Sequence, residues 1–102
     1  MLNFYETIYI IKPDITEDKN YKIITKYINL MKDNGAKNIC IQNRGRRHLS
    51  YNIKNYYDGV YVQMNYKGSG QLIDTLEKSM RFDNNIIRHL TIKQNEIKTR
   101  IP

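Results

Sequence analysis

The chain has a single cysteine, Cys40, so no disulfide can form within it. Its flanks Ile39 and Ile41 suggest a strand residue in a protein of a reducing compartment. With no obvious base to pair with, the thiol reads as a small packing residue rather than a nucleophile. No apolar run is long enough to span a bilayer. The opening "MLNFYETIYII" carries an acid in its middle and no small-residue cleavage site, so no targeting segment is expected ahead of the first strand. Gly, Pro and Ser tracts are absent, and 40% hydrophobic with 11% aromatic residues exclude a disordered chain.

The chemistry-bearing patterns are equally sparse. His48 and His89 have no Cys or acidic neighbours at ligand spacing, so no metal is expected. The stretch "YKGSGQL" has two glycines but no lysine where a phosphate loop needs one. The pairs Asp74/Glu77 and Glu17/Asp18 sit as exposed helices commonly carry them, with no apolar pocket to raise either as an acid. No nucleophile, base and orienting residue can be assembled, so neither an enzyme nor a cofactor is expected.

Alanine occurs once, whereas Ile, Asn, Lys and Tyr make up 48 of the 102 residues. Their codons are rich in A and T, which points to an organellar genome or that of a host-restricted bacterium. The length suits one domain over residues 1–102, with 94–102 as a flexible C-terminal tail. Acids are also few: 17 basic residues against 10 acidic ones give +7 and a pI near 9.5. This favours a polyanionic partner, nucleic acid first and an anionic membrane second. The excess is not uniform. Residues 1–36 carry five Lys and five acids, whereas residues 37–66 carry five basic residues and one acid. One side of the protein should therefore be basic.

Periodicity supplies the elements. "NFYETIYIIK" is β-branched and aromatic throughout, a strand buried on much of both faces and stopped by Pro13. Thr16 is placed as an N-cap, with Glu17 and Asp18 in a first turn that favours carboxylates. The stripe Tyr21, Ile24, Tyr27, Ile28 and Met31 predicts a helix that ends at "DNG", with Gly35 in the left-handed cap. A long extended stretch follows, bent or bulged at Gly45, with alternation resuming at Leu49, Tyr51 and Ile53. "NYYDG" reads as the hairpin turn, and Val60, Val62, Met64 and Tyr66 as one face of the next strand. Ser69 caps a second helix with stripe Leu72, Ile73, Leu76 and Met80, and "IIRHLTIK" is the last strand. The order βαββαβ predicts an α+β, ferredoxin-like split βαβ sandwich, a four-stranded antiparallel sheet with two helices on one face.

That architecture leaves one sheet face open, and the strands are rich in tyrosine and arginine. This composition suits base stacking and protein interfaces alike, although strand tyrosines also pack half-buried. A charged edge kept free of sheet-to-sheet pairing explains one basic residue of "RGRR" well and three poorly. Arg44, Arg46 and Arg47 straddle a glycine that allows close backbone approach, which suits guanidinium contacts to phosphate. An RRM-type reader of single-stranded RNA shares the element order. That family wants a basic residue, glycine and then aromatics on its third strand, whereas "DGVYVQMN" starts with Asp58 and keeps only Gly59 and Tyr61 in loose register.

"YET", "KPD", "NGA", "GRRHLSYNIKN", "GVYV" and "MRFDNNIIRHL" follow one another in an order and spacing that resembles the bacterial and organellar small-subunit ribosomal protein S-six family over nearly the whole chain. Ser50 and Asn52 stand where that family usually has alanine and proline. The resemblance implies no enzymatic activity and a place on the platform of the small ribosomal subunit. There the family binds the central domain of small-subunit ribosomal RNA together with ribosomal protein S-eighteen as a heterodimer. By position it implies Tyr5, Arg47, Tyr51, Arg88 and Lys93 as contacts, and Arg44, Arg46 and Lys54 join them from the charged strand. The chain stops at Pro102, so the longer tail of some relatives is not expected. With the AT-rich coding, the resemblance suggests a plastid ribosome, with the cytoplasm of an AT-rich bacterium as the alternative.

Overall fold

Pro13 cannot continue the ladder of the strand before it, and Thr16 takes an extended backbone whose hydroxyl accepts from the Lys19 N–H. The first strand therefore ends and the first helix begins within a few residues. The computed structural model describes residues 2–94 and contains β1 (Asn3–Ile11), α1 (Glu17–Asp33), β2 (Lys37–Ile53), β3 (Tyr56–Gly68), α2 (Gly70–Arg81) and β4 (Ile86–Gln94). Gln94 closes β4, and the rest of the predicted tail lies outside the described residues. All pairings are antiparallel, in the order β2-β3-β1-β4, so β2 and β4 are the two edges. This is the ferredoxin-like split βαβ sandwich.

The core lies between the sheet and the helices. Tyr9 and Ile11 of β1, Val62, Met64 and Tyr66 of β3, Tyr27 and Met31 of α1, and Leu72, Leu76 and Met80 of α2 are almost wholly buried. In α1 the buried stripe is Ile23, Tyr27 and Met31, with Ile24 and Leu30 packed beside it. Tyr21 is 71% exposed, contrary to its predicted place in that stripe. It stands one turn from the helix start, next to Arg46 and Gly45 of the edge strand, and so flanks the core instead of entering it.

Two other expectations are corrected. Cys40 is exposed rather than packed. It is opposite Asn65 on an edge strand, with its side chain on the face away from the helices. The hairpin turn is Lys54–Asn55, not the "NYYDG" stretch. Both residues have positive φ, 50° and 68°, as a type I′ turn requires, and β3 begins directly at Tyr56. Gly35 does take the left-handed backbone expected of it, with φ of 87°, and Gly45, expected as a bend or bulge, has φ of 81°. Gly45 sits at a register shift between Asn43 and Gly45, so it is a bulge.

A second irregularity shapes the open face. Pairing passes from His48 with Asp58 to Ile53 with Tyr56, so five positions along β2 are spanned by only two along β3. The extra residues leave the ladder, and Leu49, Ser50 and Tyr51 come to lie beside Ile8 and Ile10 of β1 and Leu90 of β4. The tip of the hairpin thus curls over the face that the helices leave uncovered.

Candidate nucleic-acid interface

The sheet register sorts the predicted residues into three places. Tyr51 and Arg88 come from opposite edges of the sheet, yet the Arg88 Nη1 donates to the Tyr51 hydroxyl at 2.6 Å, because the curled tip carries Tyr51 across. Lys54, in the turn of the same hairpin, lines a hollow together with Arg88 and with Arg81 at the end of α2. Sequence reasoning missed Arg81, since a cation in the last turn of a helix is adequately explained by the helix dipole.

Arg44 and Arg47 form the second group, on the open face of β2. The Arg44 guanidinium donates twice to the Gln63 side-chain oxygen, at 3.2 and 3.0 Å, and Arg47 Nε donates to the Arg44 carbonyl at 3.3 Å. Together with His48, Tyr61 and Gln63 they line a shallow hollow with no Asp or Glu on its wall among the described residues, His48 itself pairing with Asp58. Gln63 in turn donates to Glu6 at 2.6 Å, and Gln94 donates to the other oxygen of that carboxylate at 3.2 Å. A polar chain therefore runs from β2 through β3 and β1 to β4, and Glu6 neutralises none of the arginines directly. Arg46 departs from its neighbours. Opposite Val60 and facing the helix side, it donates to the Pro13 carbonyl at 3.2 Å.

The third place is the other end of the sheet. Tyr5 and Lys93 are cross-strand partners there, and the half-buried Tyr5 ring stacks on Tyr66 with centroids 6.1 Å apart. That stacking accounts for Tyr5 as a packing residue, whereas Lys93 is exposed. The eight predicted residues therefore form no single patch. Tyr51, Arg88 and Lys54 adjoin one another, Arg44 and Arg47 adjoin one another, Tyr5 and Lys93 pair at the other end of the sheet, and Arg46 stands by itself on the helix side.

Exposed apolar groups share the open face with these cations. Leu90 is 55% and Ile92 47% exposed on the free edge β4, and Tyr51 is 61% exposed at the tip. An arrangement of guanidinium groups, aromatic rings and uncovered aliphatic side chains can hold phosphates and stack bases, or seat a protein.

A family model described as "Ribosomal protein S6" matches residues 4–93. The chain belongs to the ribosomal protein S6 family. It is 59% identical over 95 residues to small ribosomal subunit protein bS6c of Porphyra purpurea, covering 93% of this chain and 85% of that protein. It is 44% identical over 99 residues to small ribosomal subunit protein bS6 of Cyanothece sp. PCC 7425, covering 97% and 93%. The plastid-type relative is thus the more similar of these two. Among solved structures, 30S ribosomal protein S6 from Thermotoga maritima superposes with a TM-score of 0.90 over 98% of this chain and 94% of that one. At 24% identity that match speaks for the fold, and it shows the same sandwich. This S6 family member is a small-subunit ribosomal protein of the plastid type.

Proposed function

We propose that this S6 family member is a non-catalytic component of the small subunit of a plastid ribosome. It binds the central domain of small-subunit ribosomal RNA on the platform, with ribosomal protein S-eighteen as its heterodimer partner. Beyond family membership, one observation carries the reading. On the open face and hairpin tip Arg44, Arg47, Lys54 and Arg88 line hollows that contain no Asp or Glu, and none of the four is in an ion pair among the described residues. Unpaired guanidinium groups on a protein of charge +7 are suited to phosphate contacts.

The RRM-type alternative needs an uncovered sheet face on which bases stack in a row. Here the hairpin tip roofs part of that face, which disfavours it. The domain assignment is part of the same proposal, one unit with a short tail beyond β4.

The test is a titration of the central-domain RNA fragment with the full chain, with and without purified S-eighteen, at two salt concentrations. Affinity should rise with the partner and fall steeply with salt, and Arg47→Ala should weaken binding by about 1–3 kcal/mol. Equal binding with and without S-eighteen, or an affinity insensitive to salt, overturns the reading.

A further inference from the structure

The roof formed by the hairpin tip leaves a cleft of about 220 Å³ above the open sheet face. Ile8, Ile10 and Leu90 make its apolar floor, Tyr51 and Tyr61 line its sides, and Arg88 reaches its rim. A second hollow shares Arg88 and His89 with the cleft and adds Lys54 and Arg81. No carboxylate lines either one, and Lys54, Arg81 and Arg88 form no ion pair among the described residues.

An apolar slot with aromatic sides opening beside a hollow lined by three cations matches the two halves of a nucleotide. The cleft is smaller than the 300 Å³ or so at which pockets for whole small molecules begin, so it suits one flat ring system and not a base pair. A protein side chain could fill the slot, but it would leave the three cations unanswered, and a phosphate alone would leave Leu90 and Tyr51 uncovered. We infer that the two hollows form one site for an unpaired nucleotide, its base held in the cleft and its phosphate by Lys54, Arg81 and Arg88. This rests on the RNA-binding reading and deepens it. It names the place where a single base, flipped out of any helix, is read by stacking and apolar contact rather than by charge.

The experiment fills the cleft without touching a cation. Ser50 is exposed on the cleft wall, so Ser50→Trp adds a ring there with little demand on the fold, and Leu90→Phe fills it from the floor as a second variant. Folding of each is checked by its thermal transition. Each full chain, with purified S-eighteen, is then titrated with the central-domain RNA fragment over a salt series, alongside Arg81→Ala. Both filling variants should lose tenfold or more in RNA affinity with the slope of log affinity against log salt unchanged, because no phosphate contact is removed. Arg81→Ala should instead flatten that slope by about one. Wild-type affinity in both folded filling variants overturns the inference and leaves the RNA reading standing. Loss of S-eighteen association in the absence of RNA also overturns it, by giving the cleft to the protein partner. If the wild-type chain binds no RNA with or without S-eighteen, the RNA reading itself falls and takes the site with it.

Discussion

Arg88, on one edge strand, donates a hydrogen bond to the hydroxyl of Tyr51, on the other, across two intervening strands. The contact exists because β2 departs from its ladder after His48 and folds its tip over the sheet. Both side chains are exposed, so the bond competes with water and its net contribution is small. Tyr51→Phe keeps the ring and removes the bond. We expect it to cost about 0.5 kcal/mol in urea denaturation, with faster amide exchange confined to the hairpin tip. A loss above about 2 kcal/mol would show the tip to be part of the cooperative core.

Gly59 presents a different relationship, one of close approach. A methyl group added at its Cα would overlap the Ile10 side chain, with Ile87 packed just behind. Its backbone is ordinary for a strand, so space and not conformational freedom is what requires glycine here. Gly59→Ala should destabilise the protein by about 1–3 kcal/mol, as overpacking of a buried site does. Chemical denaturation reads this directly, and an unchanged midpoint would mean that β1 and β3 have room to separate.

Gly59 also shows where the sequence was legible and where it misled. "DG" is the strongest short hairpin signal in the stretch, and it drew the predicted turn several residues downstream of Lys54–Asn55. A turn built on lysine and asparagine carries little local signature, and a glycine needed for packing looks the same in sequence as one needed for turning. The element order, the caps Thr16 and Ser69, and the stripe of α2 were readable because each is a local pattern with a local cause. Tyr21 and Cys40 were misplaced because their exposure depends on which strand lies at the edge, a property of the whole sheet. For the same reason the adjacency of Tyr51 to Arg88 could not be foreseen. A register shift of this size has no sequence signature, and without it the two lie on opposite edges.

Three buried tyrosines make a comparison in which only the hydroxyl changes. Tyr66 Oη lies 2.7 Å from the Thr7 hydroxyl, and Tyr27 donates to Asp83, whereas Tyr9 Oη is buried with no partner among the described residues. Burial accordingly pushes the Tyr9 hydroxyl pKa well above its usual value. Tyr9→Phe should leave stability unchanged or raise it by up to about 1 kcal/mol, because an unpaired polar atom leaves the core. Tyr66→Phe and Tyr27→Phe should each cost about 1–2 kcal/mol, because each removes one buried hydrogen bond while Thr7 keeps Thr91 and Asp83 keeps Asn85 and Lys26. Thermal melts of the three variants give the order, and a Tyr9→Phe loss as large as the others would reveal a partner for that hydroxyl.

Asp83 joins α1 to the turn before β4 and sets the response to acid. Its side chain is only 6% exposed, and burial alone would raise its pKa. The Tyr27 hydroxyl, the Asn85 N–H and the Lys26 ammonium at 3.4 Å outweigh that effect and hold the carboxyl below its ordinary value of 3.8. The folded state therefore binds its proton less readily than the unfolded chain does. The resulting stabilisation is complete above the unfolded pKa and is lost as pH falls through the lower, folded one. Stability measured by urea denaturation should decline as pH drops below about 5, with Asp83 contributing part of the slope. Asp83→Asn should be less stable than the wild type at pH 7, because Tyr27 and Lys26 lose their charged acceptor, and the gap should narrow as pH falls through the lowered folded-state pKa and the wild-type carboxyl takes up its proton. A constant gap across that range would mean that Asp83 holds α1 through the shape of its hydrogen bonds and not through its charge.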